Sequence, residues 1–292
     1  MEKGRLIKGI GGFYYVDVMG EIYECKARGI FRQHNITPLV GDQVIISVTD
    51  EAKKMGVVEK VLERRTQLIR PAVANVDQAI IVFAVTQPEP NISLLDRFLI
   101  LAESEDLDII ICLNKIDLVE KEVYETIVNM YTSAGYKVVL TSYKDNDSIL
   151  NLRRMLLEKT SVFAGPSGVG KSTLLNKVDP RLKLKTGVIS QKTARGKHTT
   201  RHAELIAIER ESWVVDTPGF SALNVDFIDE GELSFYFPEF LPCLEECKFA
   251  SCYHMDEPKC GVKKGLKEGK VSEQRYSSYL QLIQEIRNSR RF

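Results

Sequence analysis

The stretch AGPSGVGKSTLLNKV, in the middle of the chain, constrains the fold more than any other part of the sequence. It fits the pattern G-x-x-x-x-G-K-[ST] at Gly165, Gly170, Lys171 and Ser172, a loop between a strand and a helix whose backbone N–H groups cradle phosphates. In nucleotide-binding proteins of this type the loop usually opens the domain, whereas here more than half of the chain precedes it. That half already contains NKID, Asn114–Asp117, which in guanine-nucleotide proteins normally comes long after the loop. The inverted order predicts a circularly permuted domain, which is tolerated because domain termini usually lie close together.

Composition limits the class of protein. The chain has 292 residues, 44% hydrophobic and 27% charged, and no apolar run near the roughly 18 residues of a membrane span, so we expect a soluble protein of two or three domains with no membrane partner. Its first residues, MEKGRLIKGIGGFYYV, lack the apolar core and cleavage site of a secretory signal. We therefore expect a cytoplasmic protein, monomeric, whose six cysteines do not form disulfides.

Charge is unevenly distributed along the chain, although the net charge is zero. Residues 150–202 contain twelve Lys and Arg against two acids, and residues 181–201 contain seven basic residues and no acid. One interpretation of this run is a solvated loop, and the other is a loop that contacts polyanions.

Three domains are predicted from the pattern of elements. Residues 1–70 alternate short β-type runs with turn signals, which favours a small barrel, an OB-fold or another five-stranded barrel. In residues 71–224 apolar strands alternate with helices, which predicts a parallel sheet of six strands covered on both faces, as in a Ras-like domain. In this domain 76–160 forms the second half of the usual order and 161–224 the first. Residues 225–292 combine a Cys/His-rich segment with a terminal helix.

The motifs predict a site for GTP or GDP with Mg²⁺. Lys171 supplies a cation to the β and γ oxygens, the Ser172 hydroxyl ligates Mg²⁺, and Asp216 of the motif DTPG reaches the metal through water. Asp117 accepts hydrogen bonds from N1–H and the amino group of guanine, two donors that adenine lacks there. We expect nucleotide contacts from Asn114, Lys115, Asp117, Ser142, Gly165, Pro166, Ser167, Gly168, Val169, Gly170, Lys171, Ser172, Thr173, Thr200, Asp216 and Gly219.

A zinc site is predicted near the C-terminus. Cys247, Cys252, His254 and Cys260 have the spacing C-x4-C-x-H-x5-C, and three thiolates with one imidazole make a closed tetrahedral set suited to one structural Zn²⁺. Cys243 is a nearby fifth candidate.

The order NKID, TSY, GPSGVGKS, GKHTT, DTPG, between a small barrel and a Cys/His cluster, resembles the circularly permuted ribosome small subunit-dependent GTPases of bacteria over essentially the whole chain. This resemblance implies an N-terminal OB-fold, a permuted Ras-like GTPase domain and a C-terminal zinc-binding domain with helices. It also implies a GTP hydrolase that binds rRNA of the small (30S) ribosomal subunit late in assembly and is activated by the subunit. The alternative is a GTP-dependent signalling switch that acts on a protein partner.

The residue that orients the attacking water is not the usual one. Ras-type proteins place a glutamine just after DTPG, and this chain has Phe220, whose ring cannot hydrogen-bond water. His198 in GKHTT is the best candidate, and the resemblance also implies a catalytic histidine in this motif. Thr200 is expected to add a second hydroxyl to Mg²⁺, with Thr199 as the other candidate.

Overall fold

The computed structural model describes residues 1–29, 31, 36–68, 71–184, 203–209, 211–216 and 224–290. None of the helices in these ranges is long and apolar enough to span a bilayer.

The N-terminal part is a closed five-stranded barrel. Its strands are β1 (Glu2–Ile10), β2 (Phe13–Val18), β3 (Glu21–Ala27), β4 (Gln43–Asp50) and β5 (Met55–Val61). They follow the order β1-β2-β3-β5-β4, and β4 pairs back with β1, which closes the barrel. The interior is apolar because alternate residues of each strand point inward, with Leu6, Val16, Cys25, Val44, Ile46 and Val58 fully buried. The barrel prediction is confirmed, but the sequence pattern gave no prediction for β1.

The central part is an α/β domain. After the short strands β6 (Gln67–Leu68) and β7 (Val73–Ala74) it contains β8 (Gln78–Ala84), α1 (Ile92–Glu103), β9 (Asp108–Asn114), α2 (Lys121–Ser133), β10 (Lys137–Thr141), α3 (Asn146–Leu156), β11 (Thr160–Ala164), α4 (Lys171–Val178), β12 (Glu204–Glu209) and β13 (Ser212–Asp216). The order in the sheet is β10-β9-β8-β11-β13-β12, parallel except for β12. The six predicted strands are present, and the prediction of a parallel sheet is confirmed for five of them but wrong for β12, which runs antiparallel to β13.

Both faces of this sheet are covered, which explains why its central strands are continuously apolar. In β8 the residues Ala79, Ile81 and Phe83 face the core that contains α1 and α2, and Ile80 and Val82 face the core that contains α3 and α4. Every residue of β8 is buried as a result.

The C-terminal part is helical. It contains the 3₁₀ turns Leu233–Tyr236 and Pro238–Phe240, followed by α5 (Leu241–Leu244), α6 (Gly261–Lys267) and α7 (Glu273–Ser289). The predicted terminal helix is α7, and one face of it is apolar: Tyr279, Ile283 and Ile286 are fully buried, and Tyr276 and Leu280 pack against the same core. Ile100 of α1 belongs to this core as well, so the C-terminal part packs directly on the central domain.

Candidate active site

The phosphate-binding loop lies between β11 and α4, and two of its glycines are dictated by close contacts. A Cβ at Gly165 would lie 2.1 Å from the carbonyl oxygen of Val82, and one at Gly170 would lie 2.5 Å from Nδ2 of Asn114. Both glycines have φ in the left-handed region, at 133° and 100°. The loop can follow this path only with glycine at these positions.

Lys171, the first residue of α4, folds back over the loop. Its Nζ donates to the carbonyl oxygens of Gly165 and Pro166, each at 2.7 Å. The side chain is partly buried, and this burial lowers the pKa of Lys171 from its ordinary value. Ser172 and Thr173 follow in the first turn of the helix, both half-buried.

Asn114 joins the end of β9 to the phosphate-binding loop. Its Nδ2 donates to the carbonyl oxygen of Val169 at 2.8 Å, and its Oδ1 accepts from the hydroxyl of Thr141 at 3.1 Å. Asn114 is buried, so these bonds satisfy an amide that has lost contact with water.

Lys115 makes a second link to the same loop. Its backbone has a φ of 66°, and its Nζ donates to the carbonyl oxygen of Gly168 at 2.8 Å and to that of Gln87. The two halves of the inverted sequence order are thus held together in space, because both Asn114 and Lys115 bond directly to residues 168–169.

The carboxylate of Asp117 is already engaged by two groups. Its Oδ1 accepts from the hydroxyl of Ser142 at 2.6 Å, and its Oδ2 lies 2.9 Å from Nζ of Lys144. The hydrogen bond from Ser142 and then the one from Lys144 hold the pKa of Asp117 below its ordinary value. The backbone N–H of Ser142 donates to the hydroxyl of Ser148 at 3.2 Å.

Lys144 was not singled out from the sequence, and the structure adds it to the surroundings of Asp117. A lysine two residues beyond Ser142 can fold back onto the carboxylate of Asp117, so this spacing is the sequence feature that could have identified Lys144. The same ammonium lies 5.6 Å from the ring centroid of Tyr143, which is exposed.

Asp216 ends β13, next to the strand that leads into the phosphate-binding loop. Strands β11 and β13 run parallel with Val162 opposite Val215, so Asp216 and the start of the loop lie at the same edge of the sheet. Ser167 and Gly168 are exposed at the tip of the loop. The other predicted residues of this site, His198, Thr199, Thr200 and Gly219, lie outside the described residues, as does Phe220.

The oxygen donors near this edge suit Mg²⁺. Mg²⁺ prefers hard oxygen ligands and retains several waters, a preference that the residue types serine and aspartate match. In a GTPase the bound metal neutralises charge on the β and γ phosphate oxygens.

The four predicted zinc ligands come together in the C-terminal part. One ligand atom from each of Cys247, Cys252, His254 and Cys260 lies within 4.8 Å of all the others. Nδ1 of His254 is 3.6 Å from Sγ of Cys247 and 3.4 Å from Sγ of Cys260. Such separations fit the edges of a tetrahedron whose ligands lie about 2.0–2.3 Å from a zinc ion.

The cluster is held by its burial and by helix α7. His254 is 2% exposed, and burial lowers the pKa of its imidazole, which favours the neutral ring that metals bind. The hydroxyl of Tyr276 donates to the carbonyl oxygen of His254 at 2.6 Å, and that of Tyr279 to the carbonyl oxygen of Tyr253 at 2.8 Å. The metal-binding segment is therefore docked on α7 by its backbone.

The thiols of the remaining cysteines do not belong to this group. Cys243 is buried, and its thiol packs against α6, where a Cβ at Gly265 would lie 2.7 Å from it. Cys25 and Cys112 are fully buried in the barrel core and the sheet core.

Comparison with known proteins gives the family. The family model of the RsgA GTPase matches residues 61–226, and the model of the RsgA N-terminal domain matches residues 3–58. The chain belongs to the RsgA GTPase family. It is accordingly a GTPase, with the barrel and the permuted nucleotide-binding domain of that family.

Relatives and solved structures agree with this membership. The chain is 58% identical over 292 residues, 100% of both chains, to the small ribosomal subunit biogenesis GTPase RsgA of Alkaliphilus metalliredigens (strain QYMF). It is 48% identical over 291 residues, 99% of both chains, to the protein of the same name from Clostridium botulinum (strain 657 / Type Ba4).

Two solved structures of the family superpose on most of the chain. The crystal structure of YloQ, described as a circularly permuted GTPase, is 42% identical with a TM-score of 0.83 and covers 99% of this chain and 96% of its own. YjeQ from Thermotoga maritima is 37% identical with a TM-score of 0.85 and covers 98% of both chains. The predicted permutation and overall fold are confirmed.

Proposed function

We propose that this GTPase acts on the small ribosomal subunit late in its assembly, binds rRNA, and is activated by the subunit. The observation that carries the proposal is the 58% identity, over the whole chain, to a relative named for small ribosomal subunit biogenesis. The proposal further makes the protein a cytoplasmic monomer. Its barrel (residues 1–70) and C-terminal domain (225–292), with the basic run 181–201, would contact phosphate backbones.

Selectivity for guanine is assigned to the loop that follows β9. Asp117 accepts hydrogen bonds from N1–H and the amino group of the base, while Ser142 and Lys144 keep its carboxylate ionised and aimed. Asn114 braces this loop against the phosphate-binding loop, and the stem of Lys115 lies along the base plane. The hydrogen bonds from both residues to the phosphate-binding loop support this assignment.

The phosphates are assigned to the loop between β11 and α4. Its backbone N–H groups surround the β phosphate, and Lys171 neutralises charge on the β and γ oxygens. To do so, the ammonium of Lys171 must leave the carbonyl oxygens of Gly165 and Pro166. It then exchanges neutral carbonyl acceptors for charged phosphate oxygens. Ser172 and Thr200 are the proposed hydroxyl ligands of Mg²⁺, and Asp216 holds one of its waters.

His198 is proposed to orient and polarise the attacking water. This assignment is supported by the sequence alone. Phe220 stands where Ras-type proteins carry a glutamine side chain. The two histidines between α4 and the DTPG motif are His198 and His202, and His198 is the one within GKHTT. His198→Ala should leave GTP and subunit binding nearly intact and abolish most of the stimulated rate, whereas His202→Ala should leave that rate close to wild type. Full stimulated turnover in His198→Ala would show that another group orients the water.

The decisive experiment for the whole proposal is GTP hydrolysis with and without purified small subunits. We expect a slow basal rate and strong stimulation by the subunit, together with subunit binding that weakens steeply with salt as released counterions require. Absence of stimulation, or binding that does not depend on salt, would favour the signalling switch with a protein partner instead.

A further inference from the structure

The barrel touches the nucleotide-binding sheet at the strand beside Asp216. Strand β1 of the barrel pairs antiparallel with β12, and the register pair is Lys8 opposite Glu204. The two side chains form an ion pair, with Nζ of Lys8 2.7 Å from Oε2 of Glu204 and side-chain exposures of 32% and 41%. The five barrel strands and the six strands β8 to β13 of the central domain therefore form one continuous sheet.

The same glutamate is in register with the end of β13. On its other side β12 pairs antiparallel with β13, and Glu204 lies opposite Asp216. Lys8, Glu204 and Asp216 are thus neighbours across three adjacent strands. Because opposed residues in antiparallel pairs have Cα atoms about 4.5–5.5 Å apart, the barrel backbone reaches within about 10 Å of the Asp216 backbone.

A separate set of contacts docks the barrel at the far end of the same strands. Nη1 of Arg5 donates to the hydroxyl of Thr160 at 2.5 Å, and its guanidinium lies 5.8 Å from the ring centroid of Trp213. Thr160 begins β11 and Trp213 lies at the start of β13, away from the nucleotide. Removal of Lys8 therefore leaves the barrel attached and acts on the end of β13 that carries Asp216.

We propose that Lys8 is a positioning residue for Asp216: its ion pair with Glu204 fixes the end of β13 and so couples the barrel to the magnesium-binding edge of the nucleotide site. This inference rests on the proposed role of Asp216 and extends it to the barrel. Lys8 is not among the residues assigned to the nucleotide or to magnesium, and it acts through its ion pair with Glu204 and the backbone pairing of β1, β12 and β13. Binding of a partner to the barrel would thereby change the affinity of the nucleotide site for Mg²⁺ with GTP.

The test measures the dissociation constant of a non-hydrolysable GTP analogue without and with Mg²⁺. The ratio of the first constant to the second is the magnesium-linked gain in affinity. Asp216→Asn should reduce this gain strongly. Lys8→Gln and Glu204→Gln should each reduce it about two- to fivefold, the range expected for loss of a partly exposed ion pair, with metal-free affinity unchanged. Lys8→Arg should restore the gain, and so should the charge swap Lys8→Glu with Glu204→Lys.

A matched control removes an ion pair between two residues of the barrel domain. Nη1 of Arg28 lies 2.7 Å from Oε2 of Glu59, and neither residue pairs with β12, so Arg28→Gln should leave the magnesium-linked gain at its wild-type value. The proposal is overturned if Lys8→Gln leaves the gain unchanged, if Arg28→Gln reduces it equally, or if metal-free affinity falls in parallel. It is also overturned if Asp216→Asn leaves the gain intact. No ribosomal subunit is used, so a failure of the proposed partner would be seen separately, as absent stimulation of the wild type.

Discussion

Arg275 offers the sharpest test of how the C-terminal domain is attached to the GTPase domain. This residue of α7 has a side chain only 1% exposed, yet its guanidinium donates to Asp96 of α1 at 2.6 Å and to both carboxylate oxygens of Glu239 at 2.7 and 2.9 Å. Three rings surround it, those of Tyr131 and Tyr136 at 5.4 Å and that of Phe237 at 4.6 Å. The buried cation therefore joins the C-terminal domain to the GTPase domain away from bulk solvent.

Arg275→Met keeps much of the side-chain volume and removes the charge. Asp96 and Glu239, whose side chains are 0% and 3% exposed, would be left without their cation. Removing one partner of a buried ion pair typically costs about 3–5 kcal/mol, because the remaining charge stays desolvated. Asp96 would keep one donor, the hydroxyl of Tyr131 at 2.7 Å from Oδ1, whereas its Oδ2 has no hydrogen-bond partner among the described residues.

The assay is amide hydrogen exchange in α7, since a multidomain chain does not unfold in a single two-state step. A loss of about 3–5 kcal/mol in opening free energy accelerates exchange roughly 10²- to several-thousand-fold, at tenfold per 1.4 kcal/mol. Arg290→Met is the control: Arg290 pairs with Asp229 at 3.0 Å with side chains 45% and 55% exposed, and its loss should cost less than about 1 kcal/mol.

Two outcomes would contradict this reasoning. Less than tenfold faster exchange in Arg275→Met would mean that the buried carboxylates find other partners or were never dependent on the arginine. Equal acceleration in Arg290→Met would mean that α7 responds to any lost ion pair. Conversely, adding Asp96→Asn and Glu239→Gln to Arg275→Met should recover part of the protection, because neutral amides are cheaper to bury than charges.

Three further results are expected. Asp117→Asn should exchange guanine for xanthine preference, because an amide can donate to the 2-oxo group that a carboxylate repels; unchanged GTP affinity would refute the assignment. Cys252→Ala should release zinc, measured by elemental analysis, and loosen residues beyond about 225 while GTP still binds, whereas Cys243→Ala should retain the metal. The pKa of Asp117 is depressed chiefly by Ser142, so the ionised form that binds guanine persists as pH falls and is lost only below the ordinary value of about 4. In Ser142→Ala, GDP affinity should therefore begin to fall at a higher pH than in the wild type, and coincident pH profiles would exclude this role.

Most of the fold was predictable because its elements have strong local signals. The strands of the central domain are apolar on both faces and alternate with amphipathic helices, which sequence patterns report well. Strand β1 carries no such signal, since Lys3, Arg5 and Lys8 alternate with two glycines in the run EKGRLIKGI. It becomes a strand through pairing with β2 and β4, and Arg5 and Lys8 find partners in another domain, a tertiary effect that no local pattern contains.

The candidate site was predictable as motifs but not as a network. Residue types at fixed spacing gave the nucleotide loop and the zinc ligands, because each motif lies within one local segment. The bond from Asn114 to Val169 joins residues 55 positions apart, and its existence depends on the sheet that brings β9 beside the loop. Arg275 is the extreme case: a charged residue on a terminal helix is normally expected at the surface, and only its two distant carboxylates and the rings around it make it a buried one.

The permutation places the covalent exit to the C-terminal domain just after Asp216, while the barrel pairs with the strand beside it. Among the described residues β13 is the last strand of the sheet in chain order, and nine residues after Asp216 the chain buries Val225 in the C-terminal core. That core includes Ile100 of α1, and Arg275 ties α7 to Asp96 of the same helix, so the covalent exit is backed by a packed interface. Strand β12, which pairs with β13, connects Asp216 through Glu204 to strand β1 of the barrel. In an unpermuted domain the chain would continue from β13 into further strands of its own sheet. Here the end of β13 is joined to the barrel by strand pairing and to the C-terminal domain by a short stretch of chain, so we expect a displacement there to reach both domains.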